Sequence, residues 1–333
     1  MSDQTLKIAM IGCGGNARGH MSRLLQLPGV EIVGLCDTAD AAIEAARNLD
    51  PSIAKATVFG DYRELLASVD CDAIEISTPH TCHFDQIIAS LSAGKHVLCE
   101  KPMVCQVDHA HAVIEKISQT GLTFAVSYQR HTLAPYRFCR ELIASGEIGK
   151  LTFITALQSQ NWYTGRMSSG DWRGIKALSG GGQLNDSGSH LIDIVLWMSG
   201  LQPAEVFAFQ DNLEAEVDIM SALSVKFDGG ALLNLSVVGH AVNWFEEITM
   251  WTENSCLAIR DDSVVWKFEG QTRHVLSGAD LGEASSDPDA NFVNSIRGTE
   301  TPQATAEDAL KVIQLSEATW RSAEQGVVAK VIR

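Results

Sequence analysis

Long apolar runs and positive charge are scarce in this sequence. No stretch approaches the roughly 18 consecutive apolar residues that a membrane-spanning helix needs. The 25 basic residues are outnumbered by 41 acidic ones, which gives a formal net charge of −16. Such a charge repels phosphate backbones and anionic lipid surfaces over most of the molecule. We therefore expect neither a nucleic acid nor a membrane as a partner.

Paired cysteine motifs are also lacking. The eight cysteines are scattered without a CxxC pair, and most lie inside apolar runs, where a thiol behaves as a small hydrophobic group. The amino-terminal residues do not have the form of a secretory signal, because Asp3 precedes the first basic residue and glycines follow a very short apolar run. Together these features predict a protein of the reducing cytoplasm.

The chain is long enough for two domains. It has 333 residues, of which 45% are hydrophobic, so it can bury a large core. Up to about residue 128, short β-branched runs alternate with helical patterns, which is typical of βαβ units that wind a parallel sheet. Six strands are predicted in this part, at residues 7–11, 31–36, 57–59, 73–77, 96–99 and 123–127.

After residue 128 the pattern changes to a helix at 135–145, a strand at 151–159 and successive strand-like runs from 204 to 268. A turn at 228–230 joins two runs, 222–227 and 231–238, as an antiparallel hairpin. A helix at 305–325 and a final strand at 327–332 follow. The predicted fold class is α/β: a doubly wound parallel sheet in domain 1–128, then an α+β domain, 129–333, on a large, mostly antiparallel open sheet.

A glycine-rich loop follows the first predicted strand and opens a helix. Gly12, Gly14, Gly15, Asn16 and Ala17 fit the pattern G-x-G-x-x-G/A. The first glycine permits a tight turn, the second lets the backbone approach a pyrophosphate, and the small alanine allows close packing of helix on strand. A simple tight turn would also explain the glycines. The context favours a dinucleotide site, because helix amides bind phosphate.

Asp37 ends the second predicted strand, 20 residues after Ala17. At this position a carboxylate can accept both hydroxyls of an adenosine ribose. The alternative is an N-cap for the helix that starts near Ala39, and both roles can hold together. No arginine follows Asp37 to bind a 2′-phosphate, so NAD is favoured over NADP.

Lys101 follows the fifth predicted strand within the run Glu100, Lys101, Pro102. Open α/β sheets bind their ligands at the carboxyl ends of parallel strands, where a lysine can donate to a substrate hydroxyl. A solvated surface lysine is the alternative. The proline restricts the course of the loop and so favours a positioned side chain.

Asp186, His190 and Asp193 follow a run of three glycines at 180–182. Their spacing, i, i+4 and i+7, predicts that all three lie on one helical face. A histidine can take an alcohol proton while hydride leaves carbon, and a carboxylate one turn away can orient it. The alternatives are an N-cap at Asp186 with an ordinary surface His190, or a divalent metal bound by two carboxylates and a histidine. No HExxH motif or cysteine cluster accompanies them, and we expect no metal.

These segments, in this order and spacing, resemble the Gfo/Idh/MocA family, named after glucose-fructose oxidoreductase, inositol dehydrogenase and a rhizopine catabolism protein. The resemblance covers nearly the whole chain. Its matching segments are the glycine loop at 12–15, Asp37, Thr78-Pro79 with His83, residues 93–97 leading to Glu100-Lys101-Pro102, and the segment 186–193.

The resemblance implies an N-terminal Rossmann domain and NAD(P)-dependent oxidation of a sugar or polyol hydroxyl. It also implies a homodimer or homotetramer formed through the C-terminal sheet. By position, Lys101, Asp186 and His190 match the family's catalytic residues, and Asp193 matches a substrate-binding aspartate. The expected cofactor-binding residues are Gly12, Gly14, Gly15, Asn16, Ala17, Asp37, Thr78, Pro79, His80, His83, Glu100 and Lys101.

One position departs from the family pattern. The family commonly has asparagine after Thr-Pro, near the nicotinamide ribose, whereas this chain has His80, which changes the local hydrogen bonding. His80, Cys82 and His83 also suggest a metal site, but the family position favours a loop beside the cofactor.

All seven tryptophans lie in the second predicted domain. Sugar rings present apolar C–H faces that stack on aromatic rings, so Trp162, Tyr163 and Trp172 are candidate sugar-stacking residues, and Arg173 is a candidate contact for an acidic or phosphorylated sugar. Packing within a large sheet is the alternative for the aromatic residues, and surface ion pairing is the alternative for the arginine. The expected substrate-binding set is Lys101, Trp162, Tyr163, Trp172, Arg173, Asp186, His190 and Asp193.

Two other functions use the same site. A redox-neutral NAD-dependent glycosidase would oxidise a hydroxyl transiently, eliminate the aglycone and reduce the product, with Tyr128, Tyr163 or His131 as the base for the second proton. A cofactor-sensing regulator would bind NAD without chemistry. Joint retention of a lysine, an aspartate and a histidine disfavours the regulator, because a sensor needs no base beside the nicotinamide.

Overall fold

The computed structural model describes residues 5–167, 170–268, 270, 274–282 and 284–333. It divides into two compact units. The first contains the chain up to Val104, Asp108–Tyr128 and Ser286–Glu307; the second contains Cys105–Val107, Gln129–Ser285 and Asp308–Arg333. A single boundary after residue 128 therefore does not describe the division, because a later segment returns to the first unit.

The first unit contains a six-stranded sheet in the order β3-β2-β1-β4-β5-β6. All of its pairings are parallel. The strands are β1 (Leu6–Ile11), β2 (Val30–Cys36), β3 (Thr57–Phe59), β4 (Ala73–Ile76), β5 (His96–Cys99) and β6 (Phe124–Val126). This order is that of a dinucleotide-binding doubly wound sheet, with its switch point between β1 and β4. The predicted parallel sheet is confirmed.

Helices follow the strands as expected for βαβ units. They are α1 (Gly15–Leu24), α2 (Asp40–Arg47), α3 (Tyr62–Ser68), α4 (His83–Ser92) and α5 (Val107–Thr120). A further helix, α10 (Pro288–Ile296), lies in the returning segment and was not predicted. Its first amides donate to the N-cap carboxylate of Asp287, and its residues Phe292 and Val293 join the apolar core with Met10 of β1 and Met21 of α1.

The second unit contains a nine-stranded sheet in the order β14-β13-β12-β11-β7-β10-β9-β8-β15. Its strands are β7 (Leu151–Asn161), β8 (Pro203–Asp211), β9 (Met220–Phe227), β10 (Leu232–Val238), β11 (His240–Thr252), β12 (Ser255–Arg260), β13 (Ser263–Phe268), β14 (His274–Ser277) and β15 (Ala329–Lys330). Within this second sheet, β7 and β10 are the only described strands that pair in parallel, and β9 and β10 form the predicted hairpin. The expected mostly antiparallel sheet is confirmed.

The remaining helices are α6 (Ala134–Ser145), α7 (Trp162–Met167), α8 (Lys176–Ser179), α9 (Gly188–Ser199) and α11 (Ala306–Gln325). The last strand has two residues, which is shorter than the predicted run at 327–332. None of the helices in the described part of the chain combines the length and apolar character that crossing a bilayer requires.

Candidate active site

The glycine loop begins where β1 ends. Gly12 has φ +99°, and a Cβ atom built there would lie 2.4 Å from the carbonyl oxygen of Ser77, which follows β4. Only glycine fits this turn, because other residues rarely adopt such a φ and would clash with the neighbouring chain. The loop is therefore held close to the switch point of the sheet.

The other residues of this loop form the amino terminus of α1. Gly14 is the N-cap residue, and no described atom lies within 4 Å of a Cβ built on Gly14 or Gly15. Asn16 follows in the first turn, and Ala17 is fully buried in the core. Free helical amides beside open space can bind a phosphate group, so the geometry fits the pyrophosphate of a dinucleotide.

Asp37 connects the end of β2 to the glycine loop. One carboxylate oxygen accepts the amide of Cys13 at 2.8 Å, and the other accepts the amide of Ala39 at 2.9 Å. The N-cap residue of α2 is Ala39, so Asp37 is not the helix cap. A carboxylate has about four acceptor positions. Two amides leave acceptor capacity for two ribose hydroxyls, which fits an adenosine ribose.

The loop after β4 holds the other expected cofactor residues. Thr78 donates its hydroxyl hydrogen to Gln86 at 2.6 Å, and Pro79 precedes a single helical turn that starts at the buried His80. The ring nitrogens of His83 lie 2.8 Å from the carbonyl oxygen of Pro102 and 3.0 Å from that of Thr78. Burial lowers the pKa of His83. Its ring connects the loop after β4 to the loop after β5.

Glu100 and Lys101 follow β5. The Glu100 carboxylate accepts the backbone amide of Lys101 at 3.2 Å through one oxygen and lies 3.0 Å from Nε2 of His20 through the other. Lys101 is buried, and its peptide bond to Pro102 is cis. The lysine is therefore not a solvated surface residue, and the Glu100 side chain faces α1.

Asp186 lies before α9, not within it. The helix begins at Gly188, with Ser187 as its N-cap, so the prediction of one helix through all three polar residues is wrong at its start. The chain before the helix is held in turns because the Asp218 carboxylate accepts the amides of Gly182 and Leu184 at 3.0 and 2.8 Å.

The Asp186 carboxylate has a fixed position in the second unit. It is 4% exposed. Its Oδ2 accepts the indole N–H of Trp162 at 2.7 Å and lies 3.3 Å from Nε of Arg173. His190, in the first turn of α9, is partly exposed. The Asp186 carboxylate therefore has both an N–H donor and a guanidinium group beside it.

Asp193 is buried and contacts a histidine. Its Oδ2 lies 2.8 Å from Nε2 of His131, and both side chains are at most 1% exposed. The His131 ring stacks on Trp197 with centroids 4.3 Å apart. Burial raises the pKa of Asp193, while His131 opposes that shift. The structure thus places this carboxylate inside the unit beside His131.

The aromatic candidates differ in their surroundings. Trp162 is buried and serves as the donor to Asp186. The Tyr163 hydroxyl donates to the carbonyl oxygen of Leu213 at 3.1 Å. The Arg173 guanidinium lies 4.4 Å from the ring centre of Trp172. Trp172 and Tyr163 are partly exposed and keep ring surface for a ligand.

Sequence reasoning missed Asp218, His20 and Glu75. Asp218 is buried and also accepts the indole N–H of Trp320 at 3.0 Å. The glycines at 180–182 indicate this contact indirectly, because a Cβ on Gly182 would lie 1.9 Å from the Asp218 carbonyl oxygen. His20 of α1 and Glu75 of β4 have no sequence signal beyond a titratable side chain within a helix or a strand. In the described part of the chain, no group of three or more His, Cys, Asp or Glu could hold a metal ion.

Two models of one protein family match this chain. Residues 6–128 match the model of the GFO/IDH/MocA oxidoreductase family, NAD-binding Rossmann fold, and residues 136–251 match the GFO/IDH/MocA C-terminal domain. The chain belongs to the GFO/IDH/MocA family. It is an NAD-binding oxidoreductase by that membership.

Relatives in this family match over nearly their full length. A 1,5-anhydro-D-fructose reductase of Ensifer adhaerens is 26% identical, with 97% of each chain covered. A D-glucoside 3-dehydrogenase of Escherichia coli is 24% identical, covering 98% of this chain and 97% of the relative. The WlbA dehydrogenase of Bordetella pertussis, solved with NADH and UDP-GlcNAcA, is 22% identical with a TM-score of 0.89, covering 100% of this chain and 99% of that one. This structural likeness shows the shared fold.

Proposed function

We propose that this GFO/IDH/MocA oxidoreductase transfers hydride between NAD and a secondary hydroxyl of a sugar, polyol or sugar derivative. The observation that carries the proposal is the contact of Asp37 with the glycine loop, since it places a carboxylate with spare acceptor capacity beside a helix amino terminus. A 2′-phosphate at that carboxylate would meet a like charge. NAD is accordingly preferred to NADP.

The catalytic roles follow from side-chain chemistry. His190 takes the hydroxyl proton as the carbinol carbon becomes a carbonyl, and returns it in the reverse direction. Lys101 donates a hydrogen bond to the substrate oxygen, which stabilises the charge that develops there. Asp186 supports the protonated His190. Bound NAD supplies the acceptor for the hydride, so one alcohol and one NAD yield one carbonyl compound, one NADH and one proton.

A neutral carbohydrate or polyol fits the second unit better than a strongly acidic one. Arg166 lies 2.8 Å from Asp171, and Arg173 lies 3.4 Å from Asp171 and 3.3 Å from Asp186. Two carboxylates therefore balance these two guanidinium groups. The partly exposed rings of Tyr163 and Trp172 supply stacking surface for sugar C–H faces. The named relatives that act on an anhydrofructose and on a glucoside agree with this class.

The redox-neutral glycosidase receives less support from side-chain placement. It needs a base for a second proton, and three residues were candidates. His131 and Tyr128 are at most 1% exposed, and the Tyr163 hydroxyl donates to a carbonyl oxygen. A base for elimination has to reach the carbon next to the new carbonyl, so these positions favour a net oxidation.

A substrate screen tests the proposal. Purified protein is incubated with NAD and a panel of cyclitols, aldoses, sugar acids and glycosides, and NADH is followed by absorbance. His190→Ala serves as the inactive variant, and His274→Ala, which removes an exposed histidine of β14, serves as the control. NADH formation that His190→Ala abolishes and the control retains supports the proposal. Equal NADH formation by His190→Ala removes the acid/base role.

A homodimer or homotetramer through the nine-stranded sheet is the proposed assembly. One face of that sheet carries exposed apolar side chains, with Phe209 69% exposed and Leu232 44% exposed. A groove of about 300 Å³ on the sheet includes Phe153, Phe207 and Val328. Exposed apolar surface of this kind marks an interface. A wild-type oligomer that Phe209→Glu converts to a monomer in light scattering supports the assembly; a monomeric wild type contradicts it.

The proposed location is the cytoplasm. All eight cysteines lie in described positions and none of them forms a disulfide, which agrees with a reducing compartment. Cell fractionation of the native host tests this location directly.

A further inference from the structure

The first unit contains a buried charged cluster centred on His20 of α1. Nδ1 of His20 lies 2.6 Å from Oδ1 of Asp289, and Nε2 lies 3.0 Å from Oε1 of Glu100 and 3.7 Å from Oε1 of Glu75. Arg23, one turn later on α1, places its Nε 2.5 Å from Oδ2 of Asp289. The side chains of His20, Glu75 and Asp289 are at most 1% exposed.

The geometry around His20 favours a protonated ring. An ionised carboxylate only accepts hydrogen bonds, and a neutral imidazole has a single N–H. Both ring nitrogens face carboxylate oxygens, and Nδ1 also lies 3.1 Å from a guanidinium nitrogen of Arg23. Burial works against the charged ring, but the carboxylates around it outweigh burial and hold the pKa of His20 well above its usual range.

Three carboxylates, those of Glu75, Glu100 and Asp289, lie around the ring of His20. Repulsion among buried carboxylates favours a proton on one of them. Glu75 is the group that takes it: it lies in the central strand β4, its Oε2 has no hydrogen-bond partner among the described residues, and burial raises its pKa to about 7. Burial raises the pKa of the nearby Cys13 and Cys99 thiols, and Glu75 adds to that shift. Burial lowers the pKa of His83, and Glu100 opposes that shift.

Glu100 connects this cluster to the strand-end lysine. One of its oxygens is held by His20, and the other accepts the backbone amide of Lys101. The helix that carries His20 is also the helix whose amino terminus forms the glycine loop. His20 therefore contacts Glu100, whose other oxygen holds the backbone amide of Lys101. His20 itself lies on α1, the helix whose amino terminus would present amides to the cofactor.

We propose that His20 is a positioning residue for catalysis: it holds Glu100, and through Glu100 it fixes Lys101, while a proton on Glu75 reduces the repulsion among the buried carboxylates. This inference rests on the proposed function for its kinetic consequence only. His20 is 1% exposed, so its proposed effect on catalysis is exerted through Glu100. Its contact with Asp289 docks α10, which is a separate, structural role. The two ring nitrogens therefore have different tasks, and substitution can separate them.

Two amide substitutions divide the roles of the ring nitrogens. In His20→Asn the side-chain amide takes the place of Nδ1, so it keeps the contact with Asp289 and loses Glu100. In His20→Gln the amide takes the place of Nε2, so it keeps Glu100 and loses Asp289. The matched control is His111→Gln, because His111 is an exposed histidine of α5 in the same unit.

Four measurements on the full-length protein separate positioning from stability. They are kcat and KM for the substrate found in the screen, the Kd of NADH, the thermal midpoint, and the rate at which a lysine-selective acylating reagent modifies Lys101, followed by peptide mass spectrometry. A misplaced catalytic group costs up to about a hundredfold in rate. We expect His20→Asn to lower kcat about tenfold to a hundredfold with little change in KM, and to change the acylation rate of Lys101.

For His20→Gln we expect kcat to stay within about threefold of wild type, which is a smaller loss than misplacing a catalytic group causes. The acylation rate of Lys101 should equal that of wild type. The thermal midpoint should fall, because the contact with Asp289 is lost. If both variants lose thermal stability while kcat and the acylation rate stay at the wild-type values, the cluster is only structural and the proposal is overturned. The same conclusion follows if both variants lose kcat equally. A wild type that oxidises no member of the panel would refute the proposed function, whereas the acylation rates of Lys101 would still decide this inference.

Discussion

At the scale of single residues, the proposed preference for NAD depends on Asp37. Its carboxylate accepts the amides of Cys13 and Ala39 and retains further acceptor capacity. Hydrogen bonds to a charged group are worth about 1.5 to 3 kcal/mol each. By the proposal, the ribose hydroxyls of NAD would gain these bonds, whereas a 2′-phosphate would meet a like charge.

Asp37→Ser should therefore weaken NADH binding by about tenfold or more, since 1.4 kcal/mol corresponds to a factor of ten, and should narrow the preference over NADPH. Titration of both reduced cofactors by fluorescence gives the two Kd values. Asp40→Ser is the control, because it removes the same charge from the exposed first turn of α2. Equal wild-type affinities for NADH and NADPH would contradict the role given to Asp37.

Trp162 provides a second residue-scale prediction. Its indole N–H donates to Asp186 inside the second unit, so Trp162→Phe removes the donor and keeps most of the buried ring. A lost hydrogen bond to a charged acceptor costs about 1.5 to 3 kcal/mol, and we expect kcat/KM to fall by about tenfold or more. Trp251→Phe, at a partly exposed position of β11, is the control. An unchanged kcat/KM in Trp162→Phe would show that Asp186 needs no donor there.

At the scale of elements, periodic patterns in the sequence predict the strands and the hairpin. Charged contacts between distant residues cannot be predicted in this way. The β-branched runs predicted all six strands of the first sheet, and the glycine turn at 228–230 predicted the β9–β10 hairpin. Helix α10 was missed because its return to the first unit depends on Asp289 meeting His20 and Arg23, some 270 positions earlier in the chain. No local periodicity encodes such a contact.

The start of α9 shows the same limit. The spacing of Asp186, His190 and Asp193 is helical, yet the helix begins only at Gly188 because Asp218 holds the preceding amides in turns. Asp193 also faces His131, a residue outside its own helix. The spacing in the sequence thus predicts that the three polar residues lie in one segment. The direction of each side chain depends on partners that are far away in the sequence.

Gly182→Ala tests the contact that precedes α9. A Cβ atom at this position would lie 1.9 Å from the backbone oxygen of Asp218, so the chain has to move and lose the amide contacts to that carboxylate. Overpacking of this kind costs about 1 to 3 kcal/mol or more, and calorimetry should show a lower midpoint. Gly165→Ala is the control, since no described atom lies within 4 Å of a Cβ there. Equal midpoints for both variants would contradict the account.

The pH dependence of stability tests Glu75 of β4. Burial raises its pKa from 4.5 to about 7 in the folded state. A group with a raised folded pKa contributes stability that is fully present below its unfolded pKa and is lost as pH rises through the folded value. Between pH 4.5 and about 7, Glu75 thus removes about 3 kcal/mol of stability as it ionises.

Glu75→Gln should abolish that loss, because the amide stays neutral. The variant should be more stable than wild type at pH 8 and similar to it at pH 5, as measured by urea unfolding followed by circular dichroism. Glu31→Gln, at an exposed position of β2, controls for the loss of a carboxylate. If wild type and Glu75→Gln change in parallel from pH 5 to pH 8, Glu75 does not hold the buried proton.

At the scale of the whole molecule, the proposed cofactor-binding and catalytic residues belong to both units. The first contains the glycine loop, Asp37 and Lys101, and the second contains Asp186 and His190. We expect Lys101 and His190 to serve one reaction, so a double-mutant cycle of Lys101→Met and His190→Ala should be strongly non-additive in kcat/KM.

The stoichiometry of NADH against substrate tests the central claim most directly. Wild-type protein is incubated with the best sugar, polyol or glycoside of the screen and NAD, and NADH, residual substrate and any released aglycone are measured in the same sample. We predict one NADH for each substrate molecule consumed, with turnover lost in His190→Ala. Release of aglycone without net NADH would contradict the account.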